Sequence, residues 1–257
     1  MLFIKDTPVD QILSMKEMIE AIEDALKELR LARGFDLPRR RIHHPNRMIF
    51  GLLPGSVHGF MGAYLQTDLD RRLHNETVIL YSVETGEPLI LFQNCSINEA
   101  RTGAAGGIGA KYLARKDSRV AAVLGSQAHA VMQLQAAHAV RSLTLATVYS
   151  PTESHRSACV EKIKGQIGIE ARAVSNATEA IADADIIITA TDSRTPVFDG
   201  SLLKPGVHIT SMSNGDKLAR ARRSTKRRSA GPSRSSLLRK KPFASMKATF
   251  SALCATK

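Results

Sequence analysis

The chain has 257 residues, 43% of them hydrophobic and 23% charged, with a formal net charge of +12. These proportions suit a globular protein large enough to bury two modest cores, and no apolar run approaches the ~18 residues that a membrane span needs. The charge is concentrated: the 13 Lys and Arg from Lys217 onward, with no Asp or Glu among them, hold the whole excess, so the near-neutral body gives no footing for a global nucleic-acid argument.

Residues 14–33 read as the first helix, because Met15, Met18, Ile19, Ile22, Ala25, Leu26 and Leu29 recur at helical spacing. Ser14 and Glu17 make a capping box, and Gly34 is the expected stop. Residues 36–100 read as short strands and turns. Leu53-Pro-Gly55 and Glu84-Thr-Gly86 are the turn signals, the second joining strands at 77–83 and 89–92 as a hairpin. Residues 99–115 follow as a helix whose Ala and Gly suit close packing against a neighbour. From Arg119 the pattern alternates. Strands are expected at 120–124, 143–149, 171–174, 185–190 and 207–212, with helices at 127–141, 153–165 and 176–182. Such alternation argues for a parallel, doubly wound sheet. Cys95, Cys159 and Cys254 are odd in number, lie far apart and have no metal-type neighbour, which fits a reducing cytoplasm. No basic, then apolar N-terminal signal is visible.

Two glycine-rich segments compete for a phosphate. Thr102-Gly-Ala-Ala-Gly-Gly-Ile-Gly109, followed by Tyr112 and Lys116, has the Thr-Gly-x-x-x-Gly-x-Gly and Tyr-x-x-x-Lys strings of short-chain dehydrogenases. No buried strand precedes it, and its Tyr and Lys follow the glycines too closely to form a separate catalytic site, so we set it aside. Gly125-Ser-Gln-Ala128 has the right context: an apolar strand before it and a helix after it. Backbone N–H groups at a helix start favour a phosphate. The competing reading is an ordinary strand–helix turn that binds nothing. His43 and His44 lack a third ligand at sensible spacing and are taken as turn residues, so no metal is expected.

The strings Ser82-Val-Glu-Thr-Gly-Glu-Pro-Leu89, Ile97-Asn-Glu-Ala-Arg-Thr-Gly-Ala-Ala105, Ala110-Lys-Tyr-Leu-Ala114 and Gly125-Ser-Gln-Ala128 resemble, in order and spacing, the ornithine cyclodeaminase/mu-crystallin family. The resemblance covers residues 1–216. It implies an α/β protein: an α+β substrate and dimerisation domain over 1–117, then a Rossmann-like NAD(P)-binding domain over 118–216. It implies an enzyme of a small amino or imino acid (a deaminating cyclase, a dehydrogenase or an imine reductase) that works as a cytoplasmic homodimer. Non-catalytic dinucleotide binding, as in mu-crystallin-like members, is the alternative, and an inactive product is the third. Arg40, from Pro38-Arg-Arg40, and Arg101 would bind the substrate carboxylate, a task suited to the planar guanidinium fork. Arg40 could equally belong to a basic surface turn. Thr102, Gly125, Ser126, Gln127, Ala128, Thr189, Ala190 and Thr191 would contact the cofactor, and Asp216 would manage the proton at the substrate nitrogen; as a bare residue, Asp216 could be a turn or capping carboxylate.

Four departures accompany the likeness. The glycine loop is two residues shorter than the family's Gly-x-Gly-x-Gln-Ala, losing the glycine that lets backbone approach a pyrophosphate. No acidic residue follows the strand ending at Tyr149, so NAD and NADP both stay open. No lysine occurs between Lys27 and Lys111, although the family carries one near the strand reading Ala63-Tyr-Leu-Gln-Thr67; this makes ornithine cyclisation a weaker expectation. After Asp216 the family's Arg-Glu-Ile-Asp-type segment is replaced by Arg223-Ser-Thr-Lys-Arg227. GAG-ATC-GAC-GAA-ACG read one base later yields those residues, so a truncated or frameshifted member with a disordered tail over 217–257 is expected. A basic nucleic-acid arm is the competing reading of that tail.

Overall fold

The structure is a computed structural model and describes residues 1–69, 73–193 and 195–212. Asp216 and the 217–257 tail, with the expectations attached to them, lie outside the described residues. The chain divides into two compact units, with the division between Arg101 and Thr102.

The first unit opens with strand β1 (Leu2–Lys5) and helix α1 (Met15–Arg30). The Ser14 hydroxyl accepts from the Glu17 N–H while the Glu17 carboxylate accepts from the Ser14 N–H at 2.7 Å, so the capping box forms as its spacing predicts. Met15, Met18, Ile19, Ile22 and Ala25 are buried on one face. The stop differs from expectation. The helix ends at Arg30, and the positive-φ residue after it is Ala32 rather than Gly34.

Strands β2 (Phe35–Asp36), β3 (Arg40–His43), β4 (Met48–Val57), β5 (Phe60–Leu69), β6 (Leu73–Ser82) and β7 (Pro88–Gln93) complete the sheet. Its order is β1-β7-β6-β5-β4-β2, with β3 also on β4. The expected hairpin is β6–β7, turning through Gly86 at φ 73°. The expected turn at Leu53-Pro-Gly55 is a correction, because those residues lie inside β4. The reversal comes at His58 and Gly59, both at positive φ, the conformation a two-residue hairpin needs. Pro54 is tolerated because the strand beside it breaks there. Asp36 pairs with Gly55 and Arg40 with Leu52; between them the Leu37 N–H still donates to the Pro54 carbonyl at 3.3 Å, but residues 37–39 form no regular strand, so the N–H that proline lacks is not called on.

Helix α2 (Ile97–Leu113) crosses the division, and the second unit follows with β8 (Val120–Leu124), α3 (Ala128–Val140), β9 (Leu145–Tyr149), α4 (Glu153–Ile167), β10 (Glu170–Ala173), α5 (Ala177–Ile181), β11 (Ile186–Thr189) and β12 (His208–Ser211). All five strands are parallel, in the order β10-β9-β8-β11-β12. Each lies where the alternation predicts, within two residues at either end. The central strands β8 and β11 are apolar and buried along nearly their whole length because both faces are covered, whereas β10 at one edge carries exposed Glu170 and Arg172 and β12 at the other carries His208, Thr210 and Ser211. Ala121 and Val123 of β8 join a core with residues of α3 and α4, while Ala122 and Leu124 join a second with residues of α5.

The Thr102–Gly109 string lies within α2, not at a strand end, and its glycines serve packing. A side chain on Gly103 would meet the Met132 carbonyl, and one on Gly106 the Gln133 amide, both on α3. Arg141 donates to the carbonyls of Lys111, Ala114 and Arg115, closing the C-terminal end of α2.

Candidate functional site

In the first unit the chemistry gathers around the start of α2. On β6 the residues Glu76, Val78 and Leu80 share the buried face, so a carboxylate occupies a core position. It is well bound there. The backbone N–H groups of Ile97 and Asn98 donate to it at 2.7 and 3.1 Å, and the Tyr64 hydroxyl donates at 3.1 Å. Glu76 thus satisfies the first N–H groups of α2 with a full negative charge at the positive end of the helix dipole. Burial, then the Glu76 charge, pushes the Tyr64 phenol far above its usual range, so it stays a donor.

One turn along α2, Arg101 is 7% exposed. Its guanidinium lies 5.8 Å from the Tyr64 ring centroid and donates to the Asn98 side chain. Its Nε has no hydrogen-bond partner among the described residues. Burial pulls its pKa down, against the raising influence of Tyr64, Glu76 and Glu99. Burying a cation with an unused donor is costly, and an anionic ligand would relieve that cost.

Arg40, the expected second clamp, begins β3 and is exposed. Its neighbour Arg39 is partly buried, and its pKa is pushed down to about 10 by burial and by the charges of Arg101 and Arg41. Arg39 is thus the more buried of the two, and its charge feels that of Arg101. Arg39, Tyr64 and Glu76 were missed in the sequence reading. Only Glu76 had a legible signal: an acid in phase with buried Val78 and Leu80.

In the second unit the carboxyl ends of β8, β9 and β11 converge. The Gly125 N–H donates to the Tyr149 carbonyl and the Ala190 N–H to the Leu124 carbonyl, both at 2.9 Å, and the Ser126 hydroxyl donates to that of Ser150 at 3.2 Å. Gly125, Ser126, Thr189, Ala190 and Thr191 are thereby brought to one edge of the sheet, at the switch point where open parallel sheets bind ligands. Gly125 has φ 128°, and a side chain there would run into the Ala190 carbonyl. Gln127 is the N-cap of α3 but makes no side-chain capping bond, and Ala128 opens the helix; both are exposed. The Thr189 hydroxyl is buried with no partner among the described residues. These features fit a dinucleotide phosphate at the turn, apart from the missing second glycine. Thr102 lies instead on α2, where its carbonyl accepts from Gln133 at 2.9 Å. No cluster of three metal-type side chains occurs among the described residues.

The model of the ornithine cyclodeaminase/mu-crystallin family matches residues 2–220. The chain belongs to this family. Among family relatives, a Δ1-pyrroline-2-carboxylate reductase of Bacillus cereus is 31% identical over 221 residues, 82% of this chain and 68% of that protein. The structure of the Thermococcus litoralis Δ1-pyrroline-2-carboxylate reductase, in complex with NADH and L-proline, matches with a TM-score of 0.77 at 31% identity, over 82% of this chain and 68% of that one. An archaeal alanine dehydrogenase dimer with bound NAD matches at 0.74 and 30%, over 81% and 66%. Against the family pattern, Tyr64 lies in the segment where a lysine is expected, and the turn after β8 is short.

Proposed function

We propose that the chain is an NAD(P)-dependent oxidoreductase of a small cyclic imino acid or its amino acid, of the pyrroline-2-carboxylate reductase type. The observation that carries the reading is Arg101, a buried guanidinium whose Nε has no partner among the described residues, set on Tyr64 at the start of α2. Arg101 and Arg39 hold the substrate carboxylate in the first unit. Gly125, Ser126 and the start of α3 hold the dinucleotide phosphates in the second, with Thr189, Ala190 and Thr191 beside the nicotinamide. A bound nicotinamide supplies or accepts the hydride. Asp216 holds the proton exchanged at the substrate nitrogen, which is the role the family likeness implies for it. Like the alanine dehydrogenase relative, the protein works as a homodimer, and its place is the cytoplasm. Among the described residues no helix is long and apolar enough to cross a membrane.

The missing lysine and the short glycine turn favour a second reading, a protein that binds dinucleotide and imino acid without turnover. One experiment separates the two. The purified chain is given NADH or NADPH with Δ1-pyrroline-2-carboxylate, with L-ornithine and NAD, and with pyruvate and ammonia, and absorbance of the reduced nicotinamide is followed. Consumption with the cyclic imine is the expected result. Dinucleotide binding without turnover on any of the three would favour the second reading.

A further inference from the structure

Tyr64 stands in the segment where the family carries a lysine, and it is 1% exposed, among the most buried side chains of the chain. It does not act as a free phenol. Its hydroxyl is committed to Glu76, its ring faces the Arg101 guanidinium, and Glu76 in turn holds the first two N–H groups of α2. Four groups therefore form one chain of contacts: the α2 N-terminus, the Glu76 carboxylate, the Tyr64 phenol and the Arg101 side chain. Asn94 locks the carboxylate's own backbone, because its side-chain oxygen accepts from the Glu76 N–H at 3.1 Å and its N–H donates to the Glu76 carbonyl at 2.9 Å. Asn98, whose N–H Glu76 binds, accepts from Arg101 through its side chain.

We infer that Glu76 and Tyr64 are positioning residues that replace the absent lysine, orienting Arg101 toward a ligand carboxylate without supplying a cation of their own. The inference rests on the reading of Arg101 as a carboxylate site. An ammonium beside the ligand would contribute attraction but would be free to swing on its stem. The Tyr64 ring contributes a fixed face, and Glu76 fixes the ring. Carboxylate binding here depends on geometry set from behind the guanidinium. Loss of Glu76 should therefore act on the imino acid and not on the dinucleotide, whose residues lie in the other unit.

The test uses the full chain saturated with NADH and titrated calorimetrically with L-proline, comparing wild type with Glu76→Gln and Tyr64→Phe. Glu76→Gln loses the anion that two backbone N–H groups and a phenol share, and it should weaken L-proline by about tenfold or more. Tyr64→Phe keeps the ring and loses only the hydroxyl, and it should weaken L-proline by roughly threefold, at the lower end for a hydrogen bond. In both variants the Kd for NADH should stay at the wild-type value. Unchanged L-proline affinity in a folded Glu76→Gln protein overturns the inference. So does a joint loss of NADH and L-proline binding with a lowered Tm, which would make Glu76 a structural cap only. Wild-type protein that binds NADH but no L-proline would remove the carboxylate reading of Arg101 as well.

Discussion

Arg101 combines two properties rarely found together in a residue that only packs. It is buried, and it keeps a donor unused among the described residues. Arg101→Lys keeps the charge and loses the planar fork, so KM for the cyclic imine should rise roughly ten- to a hundredfold, the range for one lost hydrogen bond to a charged group. Steady-state kinetics checks this, and unchanged KM would remove Arg101 from the site. A second comparison separates the neighbouring arginines. Arg39→Ala should raise KM, because Arg39 shares the field of Arg101, whereas Arg40→Ala should leave it within about twofold, as exposed substitutions usually do. A larger effect at Arg40 would restore the expectation drawn from Pro38-Arg-Arg40. Arg101 stands out in the sequence because its local string is specific. The choice between Arg39 and Arg40 does not, since successive residues of an extended chain face opposite sides and a one-residue shift exchanges them. Which of the two is buried depends on how the chain between β2 and β3 lies against β4, a non-local fact.

Among the elements, the turn between β8 and α3 is the most exposed to revision. Gly125 supplies the tight turn, but Ser126 bonds to Ser150 where the family has a longer loop. Inserting Gly-Ala between Ser126 and Gln127 should lower the Kd for NAD(P)H by about tenfold, a single added phosphate contact's worth; fluorescence titration reads it, and no change would mean that loop length is immaterial. The start of β8 is held differently. Asp185 accepts from the Arg119 and Val120 N–H groups at 2.8 and 3.0 Å, and from Arg115 at 2.5 Å, with Lys204 Nζ 3.0 Å away. Burial raises its carboxyl pKa, but the two N–H groups and Lys204 outweigh burial, leaving the net value below the usual range. A depressed carboxylate stabilises the fold above its unfolded value of about 3.9 and loses that contribution as pH falls through the lower folded value. Melting scans from pH 7 to pH 3 should therefore show a steeper loss of Tm below about pH 4 in wild type than in Asp185→Asn; parallel curves would exclude the carboxylate as the cause. The central parallel strands β8 and β11 were legible because burial on both faces writes near-continuous apolar runs, while the edge strands were placed by the alternation. The β4–β5 hairpin was not legible, because Leu53-Pro-Gly55 carries strong turn residues that tertiary pairing overrides, while the true turn rests on His58 and Gly59, a weaker signal.

At the scale of the whole molecule, the residues proposed for the carboxylate and those proposed for the dinucleotide fall in different units. The parallel sheet and the family's diagnostic strings were readable from sequence, and so was the reading of the Ala/Gly helix as a close-packing element, which Gly103 and Gly106 fulfil against α3. The support behind Arg101 was not readable, because Glu76 and Tyr64 meet only when β5, β6 and the start of α2 assemble. That support has a consequence for chemical reactivity. Residues 28–110, which include β2 to β7 and Arg101, contain no primary amine. Acylating reagents, reductive methylation and lysine acetylation thus have no target within that stretch, although the Met1 amine and Lys5, Lys16 and Lys27 remain open to them among the described residues of the unit. Arginine-directed dicarbonyls do have one, in Arg39. Phenylglyoxal should modify Arg39 and lose that reaction when L-proline is present, while an acetylating reagent should leave L-proline affinity untouched. Peptide mapping after each treatment reads both. The stretch that holds Arg39 and Arg101 would stay silent in an amine-reactivity survey and stand out in a guanidinium-reactivity one.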